Sequence, residues 1–275
     1  MSRTAVVHLV RACNGLAPFV RFLDAYRRGR GGMDHDLVVI FKGFSDETGL
    51  KSHRQALAGL AYDELRMPDA GFDIGPYREA VQKCTHDHLC FLNSFSVPLD
   101  PDWLAKLHHH ARREGVGVAG ATGSWESHSS DWYRLARRSD RSLLRRGWAA
   151  YQGLRLARVF PPFPNPHIRT NAFIASRSLL AGLQWPRAKT KTETFRFESG
   201  HHSMTRQILD RHLLVVVVGR DGIGYPPPQW MESATFRAGD QRNLLVSDNQ
   251  TEAYAQADPA QQAWFNSLVW HPGQS

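Results

Sequence analysis

The run from Gly71 to Pro98, GFDIGPYREAVQKCTHDHLCFLNSFSVP, restricts the fold more than any other part of the chain. It reads as loop, short helix, buried strand and polar loop. Pro76 suits the first turn of a helix, where its missing N–H costs nothing. Tyr77, Ala80, Val81 and Cys84 share one helical face. Leu89 to Leu92 is an unbroken apolar run, as expected for a strand covered on both sides. It stops abruptly at Asn93-Ser94-Phe95-Ser96. In an open α/β sheet, ligands bind beyond the carboxyl ends of the strands, so this polar loop is a candidate site.

The flanking sequence repeats the alternation. Val6 to Val10 reads as a first strand, followed by an Asn14-Gly15 turn. Phe19, Phe22, Leu23 and Tyr26 then mark the inner face of a helix. Leu37 to Phe41 reads as a second strand and Tyr62 to Met67 as a third. Asp100 is a suitable N-cap, and Pro101 a suitable first-turn residue, for a helix carrying Trp103, Leu104 and Leu107. Val116 to Ala121 follows as another strand. Strands alternating with helices of this length predict a parallel α/β sheet over roughly residues 4–121.

Beyond it, residues 123–166 are rich in Ser, Arg, Trp and Pro. Thr170 to Ala175 and Leu213 to Val218 read as further strands, the latter after a helix from about His201 to His212. The last 50 residues, with Pro226-Pro227-Pro228, Trp230, Phe236, Trp264 and Trp270, read as an irregular tail packed on the body. The expected division is one α/β domain over 1–221, with 123–166 as an insertion, and a C-terminal extension over 222–275.

At 275 residues the chain can bury a large core. The N-terminus is too short an apolar run for a signal peptide, and no window reaches the roughly 18 apolar residues of a membrane span. Cys13, Cys84 and Cys90 have no framework spacing, so reduced thiols and a cytoplasmic setting are expected. The net charge of +8 favours anionic partners such as nucleotide phosphates, or simply a solvated basic surface.

The 71–98 run also resembles the centre of nucleotide-sugar glycosyltransferases of the GT-A type, family-two-like. There a Gly-containing loop and helix precede a strand reading F-L-D-x-D, then a Pro and a W-L helix. Here the corresponding residues are Phe91-Leu92-Asn93-Ser94-Phe95, Pro98 and Trp103-Leu104. The resemblance implies a GT-A-like, mostly parallel sheet flanked by helices in a single domain. It also implies transfer of a sugar from a nucleotide-sugar donor to a glycan or lipid-linked acceptor, in surface polysaccharide or glycoconjugate synthesis.

In this scheme Asp73, at the mouth of a helix, meets the ribose or base of the donor, with Gly75 and Arg78 as loop and phosphate contacts. Alternatively, Asp73 caps the turn. Arg11 and Asn14 occupy the place where related enzymes hold the base; Asn14-Gly15 is also an ordinary turn. Lys42, after the second strand, where related enzymes usually carry acids, meets a phosphate or faces solvent.

Asn93, Ser94 and Ser96 line the diphosphate and sugar, in place of the acidic pair that normally holds manganese or magnesium. Hard cations prefer carboxylates. Three alternatives follow: Arg78, Arg169 or Arg206 neutralises the leaving diphosphate, a metal is recruited by another acid, or catalysis is lost.

Phe197-Glu198-Ser199-Gly200 is similar to the E-D-x-x-x-x-x-R segment of inverting glycosyltransferases, with Ser199 at the second acid and Arg206 one residue late. This implies Glu198 as general base, against a capping carboxylate in the first turn of a helix. His201 and His202 are candidate acceptor contacts. His108 to His110 is expected on an exposed helix flank, and no histidine pairing reads as a zinc-protease helix.

The stretch 132–160 holds eight arginines and an apolar stripe of Leu143, Leu144, Trp148, Tyr151 and Leu154. A basic amphipathic helix of this kind lies on an anionic membrane, which would place the enzyme peripherally at the inner membrane face. The alternative is a solvated cover on the core. No nucleic-acid module is recognisable. Two other classes stay open: a non-catalytic nucleotide- or glycan-binding protein on the same fold, and a basic surface protein for membrane or nucleic acid.

Overall fold

The computed structural model describes residues 3–137, 142–188 and 190–270. The first half alternates as expected: β1 (Thr4–Arg11), α1 (Ala17–Gly29), β2 (Asp36–Lys42), α2 (Glu47–Ala56), β3 (Asp63–Met67), α3 (Ile74–Lys83) and β4 (His88–Leu92). Then come β5 (Val97–Pro98), α4 (Trp103–Ala111), β6 (Val116–Gly120) and β7 (Gly123–Ser124). The arginine-rich stretch forms α5 (His128–Arg137) and α6 (Leu143–Ala157), followed by β8 (His167–Ile168), β9 (Ala172–Ser176) and α7 (Arg177–Ala181). The chain ends with α8 (Lys191–Ser199), α9 (Met204–Leu209), β10 (Leu214–Val218), β11 (Gly224–Tyr225), β12 (Val246–Ser247), α10 (Asn249–Gln256) and α11 (Pro259–Trp270).

One eight-stranded sheet in the order β11-β10-β6-β9-β4-β1-β2-β3 forms the body. β1 pairs parallel with β2 and β4, and β10 parallel with β6. β9 runs antiparallel between β4 and β6. The result is a mostly parallel α/β sheet, as the apolar runs require. Successive β1 side chains point to opposite faces. Ala5, Val7 and Leu9 enter a core with Tyr77, Phe91 and Phe173, while Val6 and Val10 enter another with Phe19, Phe22 and Trp103. Burial on both faces is why these strands lack a polar alternate.

Several sequence expectations are corrected. The helix near 201–212 is only Met204–Leu209, begun by a Ser203 cap. Helix α4 starts at Trp103, two residues beyond the expected start at Pro101. Asp100 instead accepts from the Asp102 N–H at 2.9 Å and pairs with Lys106 at 2.8 Å. His108 and His110 are buried, not flank residues; His110 Nε2 pairs with the Gly222 carbonyl at 2.9 Å. The final 50 residues are only partly irregular: after turns over 226–245, β12 pairs with β5, and two helices follow.

Candidate active site

The carboxyl ends of β1, β2 and β3 form one edge. β1 ends at Arg11, in register with Lys42 at the end of β2. Lys42 neither faces solvent nor stands free for a phosphate. It is 1% exposed, and its Nζ lies 3.0 Å from Asp69 Oδ1. Arg11 reaches the same oxygen at 3.4 Å. The Lys42 ammonium holds the Asp69 carboxyl below its ordinary range. Two cations thus share the Asp69 carboxylate at this edge.

The next loop is tightly folded. Gly71 has φ +78°, and a Cβ there would lie 2.9 Å from the Gly75 Cα. The Gly75 N–H donates to the Gly71 carbonyl at 2.7 Å. A glycine at 71 meets both the positive φ and the close approach. Asp73 stands at the N-cap position of α3 without a side-chain cap bond, so it does not cap the turn. Burial raises its carboxyl pKa, Arg11 and Lys42 pull it back, and Glu198 pushes it up. Asp73 and Glu198 are therefore electrostatic neighbours although 125 residues separate them. Arg78 is exposed on α3, and Asn14 lies in the short turn after β1.

The loop after β4 is closed on itself. Asn93 Oδ1 accepts from the Phe95 N–H and from Ser96 Oγ, each at 2.9 Å. Ser96 Oγ also contacts the Asn171 carbonyl at 2.6 Å, and Ser94 is buried. With the Asn93 carbonyl already used and no carboxylate present, this loop does not fit a manganese or magnesium ion held as in F-L-D-x-D enzymes.

Glu198 lies in the last turn of α8 rather than in the first turn of a helix. Its Oε1 accepts from the Thr170 N–H at 2.9 Å and from the Thr170 hydroxyl at 3.2 Å. Thr170 precedes Asn171, whose carbonyl takes the Asn93 N–H at 2.9 Å. The Tyr77 hydroxyl donates to the Thr170 carbonyl at 3.3 Å. One strand entry, Thr170-Asn171, therefore ties together α3, the β4 loop and Glu198. A cavity of about 180 Å³ opens beside Glu198, lined among others by Glu126, His128, His167, Arg169 and Arg237. His167 is buried, and burial lowers its pKa while Glu198 opposes the shift.

Not every candidate joins this cluster. Arg169 lines the cavity but is occupied: it donates to Asp248 at 2.7 Å and lies 4.0 Å over the Phe236 ring. His201 and His202 line a separate cleft of about 690 Å³ with Arg158, Arg196, Trp185 and Phe197. Its α8 contacts are Arg196 and Phe197, whereas the Glu198 cavity takes Phe195, Glu198 and Ser199. Arg206 is exposed on α9.

Sequence reasoning missed Tyr77, His167, Thr170 and Asp248 as members of the site's frame. Only Asp248 carried a local signal, the D-x-x-T spacing of a capping box with Thr251. Among the described residues, one group brings three metal-ligating side chains within 4.8 Å of one another: Glu126, His128 and Asp131. Its mixed carboxylate and imidazole donors differ from the all-oxygen set that magnesium favours. Burial, and then Glu126, push the Asp131 carboxyl up to about 7.

No family model matches the sequence. No curated protein matches it either. Among solved structures, the chain is similar to a mannosyltransferase from Pyrobaculum calidifontis, in complex with GDP-mannose and Mn²⁺. The likeness has a TM-score of 0.53 at 13% identity and covers 86% of this chain. The chain spans 60% of the length of that mannosyltransferase. Glucosyl-3-phosphoglycerate synthase from Mycobacterium tuberculosis, in complex with Mn²⁺, UDP and phosphoglyceric acid, matches at a TM-score of 0.40 and 19% identity, over 66% of this chain and 58% of that one. With its mostly parallel sheet and the overlay on the mannosyltransferase, the chain has the GT-A-like fold that the 71–98 run implies.

Proposed function

We propose that the protein is an inverting glycosyltransferase that moves a sugar from a nucleotide-sugar donor to a hydroxyl of a glycan or lipid-linked acceptor, in cytoplasmic synthesis of a surface polysaccharide or glycoconjugate. The observation that carries this reading is the joining of the 93–96 loop, Tyr77 of α3 and Glu198 through Thr170-Asn171, with Asp73 at the N-cap position of the same helix. The GDP-mannose complex of the similar mannosyltransferase supports the donor class.

In the proposed reaction the acceptor oxygen attacks the anomeric carbon from the side opposite the diphosphate. Its proton passes to the Glu198 carboxylate. The bond between the anomeric carbon and the diphosphate oxygen breaks, and the nucleoside diphosphate leaves with the electron pair. General-base help of this kind contributes about 10²–10⁴ in rate. Arg78, exposed on α3, is the proposed contact for the leaving diphosphate. Preorganised charge stabilises a leaving group without reorganisation at the moment of reaction. Asp73 takes the ribose or base, Arg11 and Asn14 flank the base, and Gly75 lets the backbone approach the donor. Asn93, Ser94 and Ser96 shape the sugar and diphosphate pocket.

A second reading, a donor-binding protein without turnover, is favoured by the self-bonded neutral loop at Asn93. One experiment separates the two. Nucleotide sugars are screened by thermal shift, with and without Mn²⁺, and each binder is then incubated with a glycan or lipid-linked acceptor mixture while nucleoside diphosphate release is followed. A ligand specific for the folded state raises Tm by mass action. A metal-independent shift with acceptor-dependent release supports the transferase. A shift without release supports the binding protein, and no shift with any donor rejects both.

A further inference from the structure

Helix α6 turns one face inward and leaves the opposite apolar face largely exposed, with the Trp148 ring edge-on to Trp132 of α5 at 5.0 Å. Ala149 and Gly153 are buried against α5, and a Cβ at Gly153 would lie 3.1 Å from the Tyr133 ring. Only small residues allow the two helices this close. The opposite face carries Leu143, Leu144, Trp148, Tyr151 and Leu154, which are 80%, 88%, 56%, 57% and 57% exposed. At about 100° per residue these five fall within an arc of about 140°. Scattered exposed apolar residues need no explanation, but a contiguous stripe along a whole helix marks an interaction surface.

The charge around the stripe selects its partner. Leu143–Ala157 contains no acidic residue. Arg145, Arg155 and the following Arg158 are exposed, as is Arg137 at the end of α5. Arg138 and Arg141, also part of the basic stretch, lie outside the described residues. Guanidinium groups on long apolar stems can reach lipid phosphates while their stems stay in the interface. Trp and Tyr favour the same headgroup level. Among the described residues, no helix is long and apolar enough to cross a membrane. A helix of 15 residues is about 22 Å long, which suits one that lies in the surface plane rather than across it.

We propose that the outer face of α6 docks this protein on an anionic lipid bilayer, with Leu143, Leu144, Trp148, Tyr151 and Leu154 entering the interface and the α6 arginines meeting lipid phosphates. The proposal is independent of sugar transfer, because vesicle binding requires no donor, acceptor or turnover.

The test is co-sedimentation of the full chain with vesicles of phosphatidylcholine alone, or of phosphatidylcholine and phosphatidylglycerol at about 7:3. The wild-type protein is expected to pellet with the anionic vesicles and to be released by high salt. Leu144→Glu with Trp148→Glu removes the apolar contact at two exposed positions, and the expected loss of affinity is at least about tenfold. Arg145→Gln and Arg155→Gln are each expected to cost about fivefold on anionic vesicles. Circular dichroism of each variant shows that the fold is kept.

Three results overturn the proposal. One is no binding by the wild type. Another is equal binding by the Leu144→Glu/Trp148→Glu variant. The third is a wild-type dimer in sedimentation equilibrium that this variant dissolves, which would make the face an interface between copies.

Discussion

Replacing Asp248 with Asn should destabilise the protein far more than a polar substitution usually does. Asp248 Oδ2 accepts from Arg169 at 2.7 Å, and the two side chains are only 1% and 7% exposed. Its Oδ1 accepts from the Gln250 and Thr251 N–H groups at 3.1 and 2.9 Å, which caps α10. Asn keeps the shape and one capping oxygen but removes the negative charge.

Removing one partner of a buried ion pair costs about 3–5 kcal/mol, because the other charge stays buried without compensation. Arg169 also donates to the Thr122 hydroxyl at 3.2 Å and lies over the Phe236 ring, so the lower end, about 3 kcal/mol, applies. With about 2.1 cal/mol/K of unfolding entropy per residue, a chain of 275 residues loses about 1.7 °C per kcal/mol. The expected drop in Tm is about 5 °C, read by circular dichroism at pH 7. Asp248→Ala also removes the cap, about 1 kcal/mol more, for a drop of about 7 °C. Arg169→Met combined with Asp248→Leu removes both charges and should be more stable than Asp248→Ala. An Asp248→Asn melt within about 1 °C of wild type would refute the reasoning, as would a double variant less stable than the alanine.

Two further outcomes follow from the same structure. Glu198→Gln should lower kcat by about 10²–10⁴ with little change in Tm, because the amide oxygen can still accept from the Thr170 N–H; full activity in this variant would remove Glu198 as the base. His8 is completely buried with both ring nitrogens unpartnered, stacked 3.7 Å from Phe22, and burial holds its pKa at about 3. Between pH 6.5 and 3 the unfolded chain therefore binds a proton that the folded chain refuses, so stability falls as pH falls through that window, by on the order of 4 kcal/mol. His8→Phe should flatten this part of the acid limb in a Tm-against-pH series; an unchanged limb would show that His8 does not titrate on unfolding.

The strands and their two-sided burial were legible because they are local and repetitive. Residues such as Val7 and Val10, or Phe91 and Leu92, need only be apolar at every position to read as a strand covered on both faces. Element ends were less legible, since they depend on single cap bonds. Asp100 has the side chain of an N-cap, yet its carboxylate is taken by the Asp102 N–H and by Lys106, so the helix starts later. The exposed flank expected for His108 to His110 holds for His109 but not for His110, which the Gly222 carbonyl and Gly224 of β11, far along the chain, cover.

The candidate site divides along the same line. Sequence alone determined the alternation of strand and helix, the polar stop after Leu92, the absence of carboxylates from Asn93-Ser94-Phe95-Ser96, and the basic, apolar composition of the stretch that includes α6. Each of these is a property of neighbouring residues. Only the tertiary structure decided that Lys42 is buried against Asp69, that Asn93 spends its carbonyl on its own loop, that Glu198 and Tyr77 meet at Thr170, and that His201 and His202 line a different cleft. These depend on which strand lies beside which. The antiparallel β9, inserted between β4 and β6, brings Thr170-Asn171 to the end of β4. That placement is set by long-range pairing and burial, which no local spacing of residues encodes.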